Sequence, residues 1–216
     1  MTVEEIIKEL KKHKNKNNLA GMARFGINVE KAFGISIPFL RALAKKIGKN
    51  HNLALQLWET KYHEARILAS MIDEPELVSK LQMDKWAKEF NSWDLCDQVC
   101  MNLFSKSPFA KEKIFKWSNS KKEFVKRAAF TLIACLAHDK NMNNKEFIKF
   151  FTLIKKQALD ERNYVKKAVN WALRQIGKRN EYLKNKALQL SEEILKMDSS
   201  AKWIARDAIR ELKKII

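Results

Sequence analysis

Apolar residues recur every three or four positions along almost the whole chain, and only 5 Gly and 3 Pro interrupt them in 216 residues. That period belongs to one face of an α-helix, whereas strands would need alternation and more turn residues. The chain therefore reads as all-α, with many helices joined by short turns. Thr2 and Glu5 make a capping box for a first helix reaching about Lys14. Ser36 and Pro38 open another that carries Leu40, Leu43, Ala44 and Ile47 before Gly48 stops it. Between them, Gly21 to Gly34 reads mostly as loop or short helix. An apolar content of 46% over this length can fill one sizeable core, so a single domain spanning 1–216 is expected.

From Lys61 onward a weak repeat appears, in which a polar residue is followed by small and apolar ones. Arg66, Asp97, Arg127, Lys167 and Arg206 occupy equivalent slots, at spacings typical of two- or three-helix repeats of HEAT type. One such unit cannot bury its apolar face alone, so neighbours must stack into a curved α-solenoid. The polar slots are then expected on one continuous, basic, concave surface. Accidental similarity within an ordinary helical bundle is the alternative.

Charge narrows the partner. There are 43 Lys and Arg against 25 Asp and Glu, a net +18, and the stretch 105–185 holds 20 basic and 7 acidic residues. A surface merely rich in lysine would spread that excess evenly, so the clustering favours a face for an anionic partner. No run of 18 apolar residues and no basic-then-apolar leader is present, so a cytoplasmic protein with no membrane partner is expected. Cys96, Cys100 and Cys135 have no metal-ligand spacing and read as small buried thiols in a reducing compartment.

Few residues carry the chemistry. Trp93 and Asp97 lie four apart and share a helix face, an indole beside a carboxylate. Trp93 also reads as a core residue, and Asp97 as a solvated acid. Asp94 is the better capping candidate, with Ser92 competing. Asp97 fills a slot that elsewhere holds a cation, which surrounds it with positive charge. Trp171 borders Lys167, Arg174 and Lys178 at helical spacing, an arrangement suited to nucleic-acid contact or to a lid over a helix junction. His63, beside Glu64, reads as a turn or helix-surface residue, and no histidine pair has metal-binding spacing.

Several segments together resemble the AlkD-like DNA alkylation repair family, HEAT-repeat-like DNA glycosylases. They are Gly21 to Phe25, Ile35 to Leu43, Ser92 to Asp97, Lys126 to Ala129, and Lys167 to Arg174. The resemblance covers most of the chain and implies a helical cradle that grips duplex DNA and hydrolyses the N-glycosidic bond of cationic N3- and N7-alkylated purines. It assigns the catalytic roles to Trp93, Asp97, Arg127 and Trp171. Asp97 would stabilise the sugar's developing charge and position water, the two indoles would pack on the deoxyribose, and Arg127 would hold a phosphate. DNA contacts are expected from Phe25, Arg66, Lys126, Lys166, Lys167, Arg174, Lys178 and Arg206. No metal or organic cofactor is implied, and a monomer is expected. Phe25 stands where the family commonly has Tyr, and the segment from Gly26 to Pro38 is divergent. Because family branches that lose the catalytic residues bind distorted or branched DNA, a non-catalytic DNA-binding module is the leading alternative. A scaffold for proteins or RNA is a third.

Overall fold

The computed structural model describes residues 1–197 and 199–214, among which there are α-helices and a short 3-10 turn but no strand. They fall into two compact units, Met1–Phe109 and Ala110–Ile216. The first holds α1 (Val3–Lys12), α2 (Lys16–Arg24), α3 (Ile37–Ile47), α4 (His51–Glu59), α5 (His63–Ile72), α6 (Lys80–Lys88) and α7 (Trp93–Asn102). The second holds α8 (Ala110–Trp117), α9 (Glu123–Leu136), α10 (Asn144–Gln157), α11 (Asn163–Gly177), α12 (Glu181–Leu195) and α13 (Ser199–Leu212).

Local chemistry explains the boundaries. The Thr2–Glu5 capping box starts α1, and the side chains of Asn15, Asn50, Ser79, Asn143 and Asn180 accept from the third helical N–H of α2, α4, α6, α10 and α12. Helix α1 stops at Lys12, two residues short of the expected Lys14, because Asn15 already caps α2. Helix α2 itself buries no residue, so its apolar signal is weak and only part of it was legible as a short helix. Gly48 ends α3 with φ +80°, a left-handed conformation that glycine adopts without strain.

Helices α3, α5 and α7 pack in succession in unit 1, with α4 behind α5. In unit 2, α9, α11 and α13 form the same kind of ladder, backed by α8, α10 and α12. The polar repeat lies on α5, α7, α9, α11 and α13, the ladder helices of both units. Apolar packing fills the space behind them. In unit 1 the Trp58 and Trp86 rings stack 4.0 Å apart at 2°. In unit 2, Phe130, Phe147 and Phe150 are fully buried. Gly177 lets α11 approach α12 and α13: a Cβ there would come within 2.7 Å of the Leu212 side chain and 3.1 Å of Ala187.

Stacking also buries two residues expected to contact DNA, Arg66 and Lys126, and one expected to hold a phosphate, Arg127. They are 6%, 8% and 6% exposed, and each bonds to groups within the protein. The Arg66 guanidinium lies over Trp58, donates to its carbonyl and pairs with Glu89 at 2.6 Å. The Lys126 ammonium bridges Gln157 and Asp160. Arg127 donates 2.6 Å to the Tyr164 carbonyl in the first turn of α11. Ladder helices are flanked by their neighbours, which removes water from slots that helical periodicity alone makes look exposed.

Candidate active site and nucleic-acid interface

A cavity of about 560 Å³ opens in unit 1. Its walls come from α2, from the loop ending in Ser36, and from α5 and α7; among the residues on them are Met22, Ile35, His63, Trp93 and Asp97. Trp93 and Asp97, one helical turn apart, are thus both on the α7 wall, and both are half-buried. The Trp93 indole N–H donates 3.0 Å to the carbonyl of Phe25, which fixes the indole beside the end of α2. Phe25 itself is 71% exposed, an aromatic ring left in water.

A buried carboxylate holds the divergent loop in place. Glu64, in the first turn of α5, accepts from the backbone N–H groups of Phe33, Gly34 and Ile35 at 2.7–3.2 Å. Gly34 has φ +78°, and a Cβ on it would lie 2.3 Å from the Asn15 carbonyl oxygen. Asn18 adds a bond to the Gly34 carbonyl. These contacts place Ile35 and Ser36 on the cavity wall.

His63 is not on the helix surface. It is 5% exposed, and its Nε2 meets the Asp94 carboxylate at 2.8 Å. Burial works against the imidazolium, but the hydrogen bond and charge of Asp94, with help from Glu64, raise the His63 pKa above its ordinary value. For Asp94 burial acts upward, yet bonds from His63 and Ser92 and the nearby imidazolium bring its pKa below the usual carboxylate value. The N-cap of α7 is Ser92 and not Asp94, the better candidate from sequence; Asp94 lies in the first turn and is drawn to His63 of α5. One signal in the sequence could have found this pair: His63 and Asp94 are 31 apart, the same spacing as the repeat slots Arg66 and Asp97.

Unit 2 carries the charge. It has 26 basic and 12 acidic residues, net +14, against 17 and 13, net +4, in unit 1. Lys167 and Arg206 are exposed on α11 and α13. Arg174 and Lys178 also lie on α11 or at its end, but both pair with Glu211, and Arg174 reaches Asp207 as well. Trp171 is half-buried on α11. The Lys166 ammonium sits 5.8 Å from the ring of Trp203, an indole 43% exposed on α13 that the sequence reading passed over. Its position three residues before Arg206, on the side opposite the stripe Ile204, Ala205 and Ala208, was the available clue. No helix among the described residues is long and apolar enough to cross a membrane.

The class defined by this architecture is a helical-repeat protein with an indole and a carboxylate on a cavity wall and a strongly cationic second unit. The chain belongs to the DNA alkylation repair enzyme family, whose model matches residues 6–212. Its fold is similar to that of a solved structure described as a new family of proteins related to the HEAT-like repeat DNA glycosylases with affinity for branched DNA structures. The TM-score is 0.81 and the identity 22%, over 98% of this chain and 95% of the other. The architecture is therefore HEAT-like. No curated protein matches the sequence.

Proposed function

We propose that this protein is a monofunctional DNA glycosylase that hydrolyses the N-glycosidic bond of cationic N3- and N7-alkylated purines in duplex DNA, acting as a monomer. The observation that carries this reading is the pairing of Asp97 with Trp93 on one wall of the unit 1 cavity. An alkylated purine already bears positive charge, so it leaves without a general acid and the sugar becomes oxocarbenium-like. A carboxylate and an electron-rich indole face both stabilise that cation, and the carboxylate also orients the attacking water. In this reading Phe25 contacts DNA beside the cavity. Unit 2 grips the phosphates through Lys166, Lys167 and Arg206, and Trp171 and Trp203 pack on sugars or bases. Arg174 and Lys178 contribute less, because Glu211 neutralises part of their charge. Arg127 acts by holding the start of α11, the helix of Trp171, rather than by touching a phosphate.

The test is incubation of the protein with methylated duplex DNA and chromatography of the released bases. Wild type should free 3-methyladenine or 7-methylguanine. Asp97→Asn should lose at least about 100-fold of that rate, the scale of one electrostatic transition-state contact, while binding DNA as before. Wild-type protein that binds duplex tightly and frees no base would overturn the catalytic reading. A second reading, a non-catalytic module for branched or distorted DNA, is supported by the description of the similar solved structure and by the +14 charge of unit 2. It requires tighter binding to a four-way junction than to linear duplex of the same length.

A further inference from the structure

Trp93 is the first helical residue of α7, the place where a helix frays most readily because its leading N–H groups have no partner within the helix. A serine at the N-cap ordinarily holds such a start by accepting from one of them. Ser92 makes no such bond; its hydroxyl donates instead to the Asp94 carboxylate at 2.7 Å. The first turn of α7, which brings Trp93 to the cavity and leads to Asp97 one turn on, therefore depends on a tie from outside the helix.

His63 supplies it. The residue is 5% exposed, and its Nε2 lies 2.8 Å from the other carboxylate oxygen of Asp94. Folding holds His63 above its ordinary pKa and Asp94 below, so the two form an ion pair, and charge-assisted hydrogen bonds are the shorter and stronger kind. Nδ1 of His63 has no hydrogen-bond partner among the described residues, so the ring is committed to Asp94. The start of α5 is itself fixed. The His63 backbone N–H donates to the Lys31 carbonyl at 2.8 Å, and the neighbouring Glu64 accepts from Phe33, Gly34 and Ile35. The first two residues of α5 thus join α7 to the loop that forms another wall of the same cavity.

We infer that His63 is a positioning residue for the proposed reaction: through Asp94 it holds the first turn of α7 so that Trp93 and Asp97 face the sugar together. The inference rests on those two residues carrying the chemistry. A shift of about 1 Å in a reacting group costs on the order of 100-fold in rate, so a tie remote from the substrate can govern turnover. His63 itself need touch no DNA.

Single-turnover release of 7-methylguanine from methylated duplex, measured with the full-length protein at saturation, gives the rate apart from binding. His63→Leu removes the bond and should lower that rate roughly 10- to 100-fold, with DNA affinity by anisotropy unchanged. His63→Gln, whose amide N–H can still reach Asp94, should recover most of the loss. The Trp93 indole N–H, bonded to the Phe25 carbonyl at 3.0 Å, reports position without any turnover. Its NMR signal, assigned by its loss in Trp93→Phe, should move in His63→Leu and return in His63→Gln. If His63→Leu loses helical circular dichroism, His63→Leu/Asp94→Leu, which strands no buried carboxylate, takes its place in both measurements. An unmoved indole signal in the folded variant, or release at the wild-type rate, would overturn the inference. The two claims separate cleanly. Wild type that frees no base while the indole signal behaves as stated removes the glycosylase and keeps the positioning of Trp93, and release by wild type that a folded variant matches does the reverse.

Discussion

Removing the Glu64 carboxylate should unfasten the loop that forms one side of the unit 1 cavity. In wild type, three buried backbone N–H groups, those of Phe33, Gly34 and Ile35, converge on this one side chain, which is 1% exposed. Glu64→Ala leaves all three without an acceptor. An unpaired buried donor costs about 1–3 kcal/mol, and removing one partner from a buried charged network typically costs about 3–5 kcal/mol. Because a loop can shift to admit water, the expected loss is about 3–5 kcal/mol rather than the full sum over three donors. Glu64→Gln keeps one acceptor oxygen but turns an amide donor toward other donors, so it should fall between, at about 1–3 kcal/mol. Urea unfolding followed by circular dichroism gives the stabilities. Amide hydrogen exchange at Phe33, Gly34 and Ile35 tells local unfastening from a general effect. An alanine variant within about 1 kcal/mol of wild type, or continued protection of those three amides, would refute the reasoning.

Three further outcomes follow from the same geometry. Replacing Gly34 by Ala forces a Cβ into the left-handed region and to 2.3 Å from the Asn15 carbonyl, so the protein should lose about 1–3 kcal/mol or more and melt several degrees lower in a thermal scan. The His63–Asp94 pair should give a bell-shaped stability difference between wild type and His63→Gln. Asp94 is depressed, so its contribution is present above the ordinary 3.8 and fades as pH falls through its lower folded value. His63 is raised, so its contribution is full below the ordinary 6.5 and is lost as pH rises through its higher folded value; the difference should therefore peak between 3.8 and 6.5, and a flat profile in urea titrations from pH 3 to 9 sinks the ion pair. Lys167→Gln and Arg206→Gln should each lower the slope of log affinity against log salt by about 1, whereas Arg66→Met, buried against Trp58, should leave that slope alone and show its effect in stability.

Most of the architecture was readable because it is written in local terms. The Thr2–Glu5 box and the Pro38 start and Gly48 stop of α3 depend on residues close in sequence, and the repeat on α5, α7, α9, α11 and α13 recurs as a short local pattern in each helix. Helix α2 was only partly legible, since Asn15 to Arg24 buries nothing and periodicity had little to report. The candidate site was legible where a residue keeps its own face, as with Trp93 and Asp97. Exposure was not legible where a neighbouring repeat decides it. Arg66, Lys126 and Arg127 look like a cationic stripe in one dimension and are sealed between helices in three. His63 looked superficial for the complementary reason, because its partner lies one repeat away. His63 and Asp94, at equivalent positions one repeat apart, form a tie between repeats and not part of a surface.

Cys96 and Cys100 sit on the core side of α7, with no exposure, directly behind the wall that bears Asp97. Electrophiles that methylate purines also attack cysteine sulfur, and attack requires access, which a fully buried position denies. The two sulfur atoms of α7 thus stay out of reach of such reagents behind its acidic face, whereas Cys135 on α9, expected to be buried, is partly exposed and is the thiol that methylating stress would reach first.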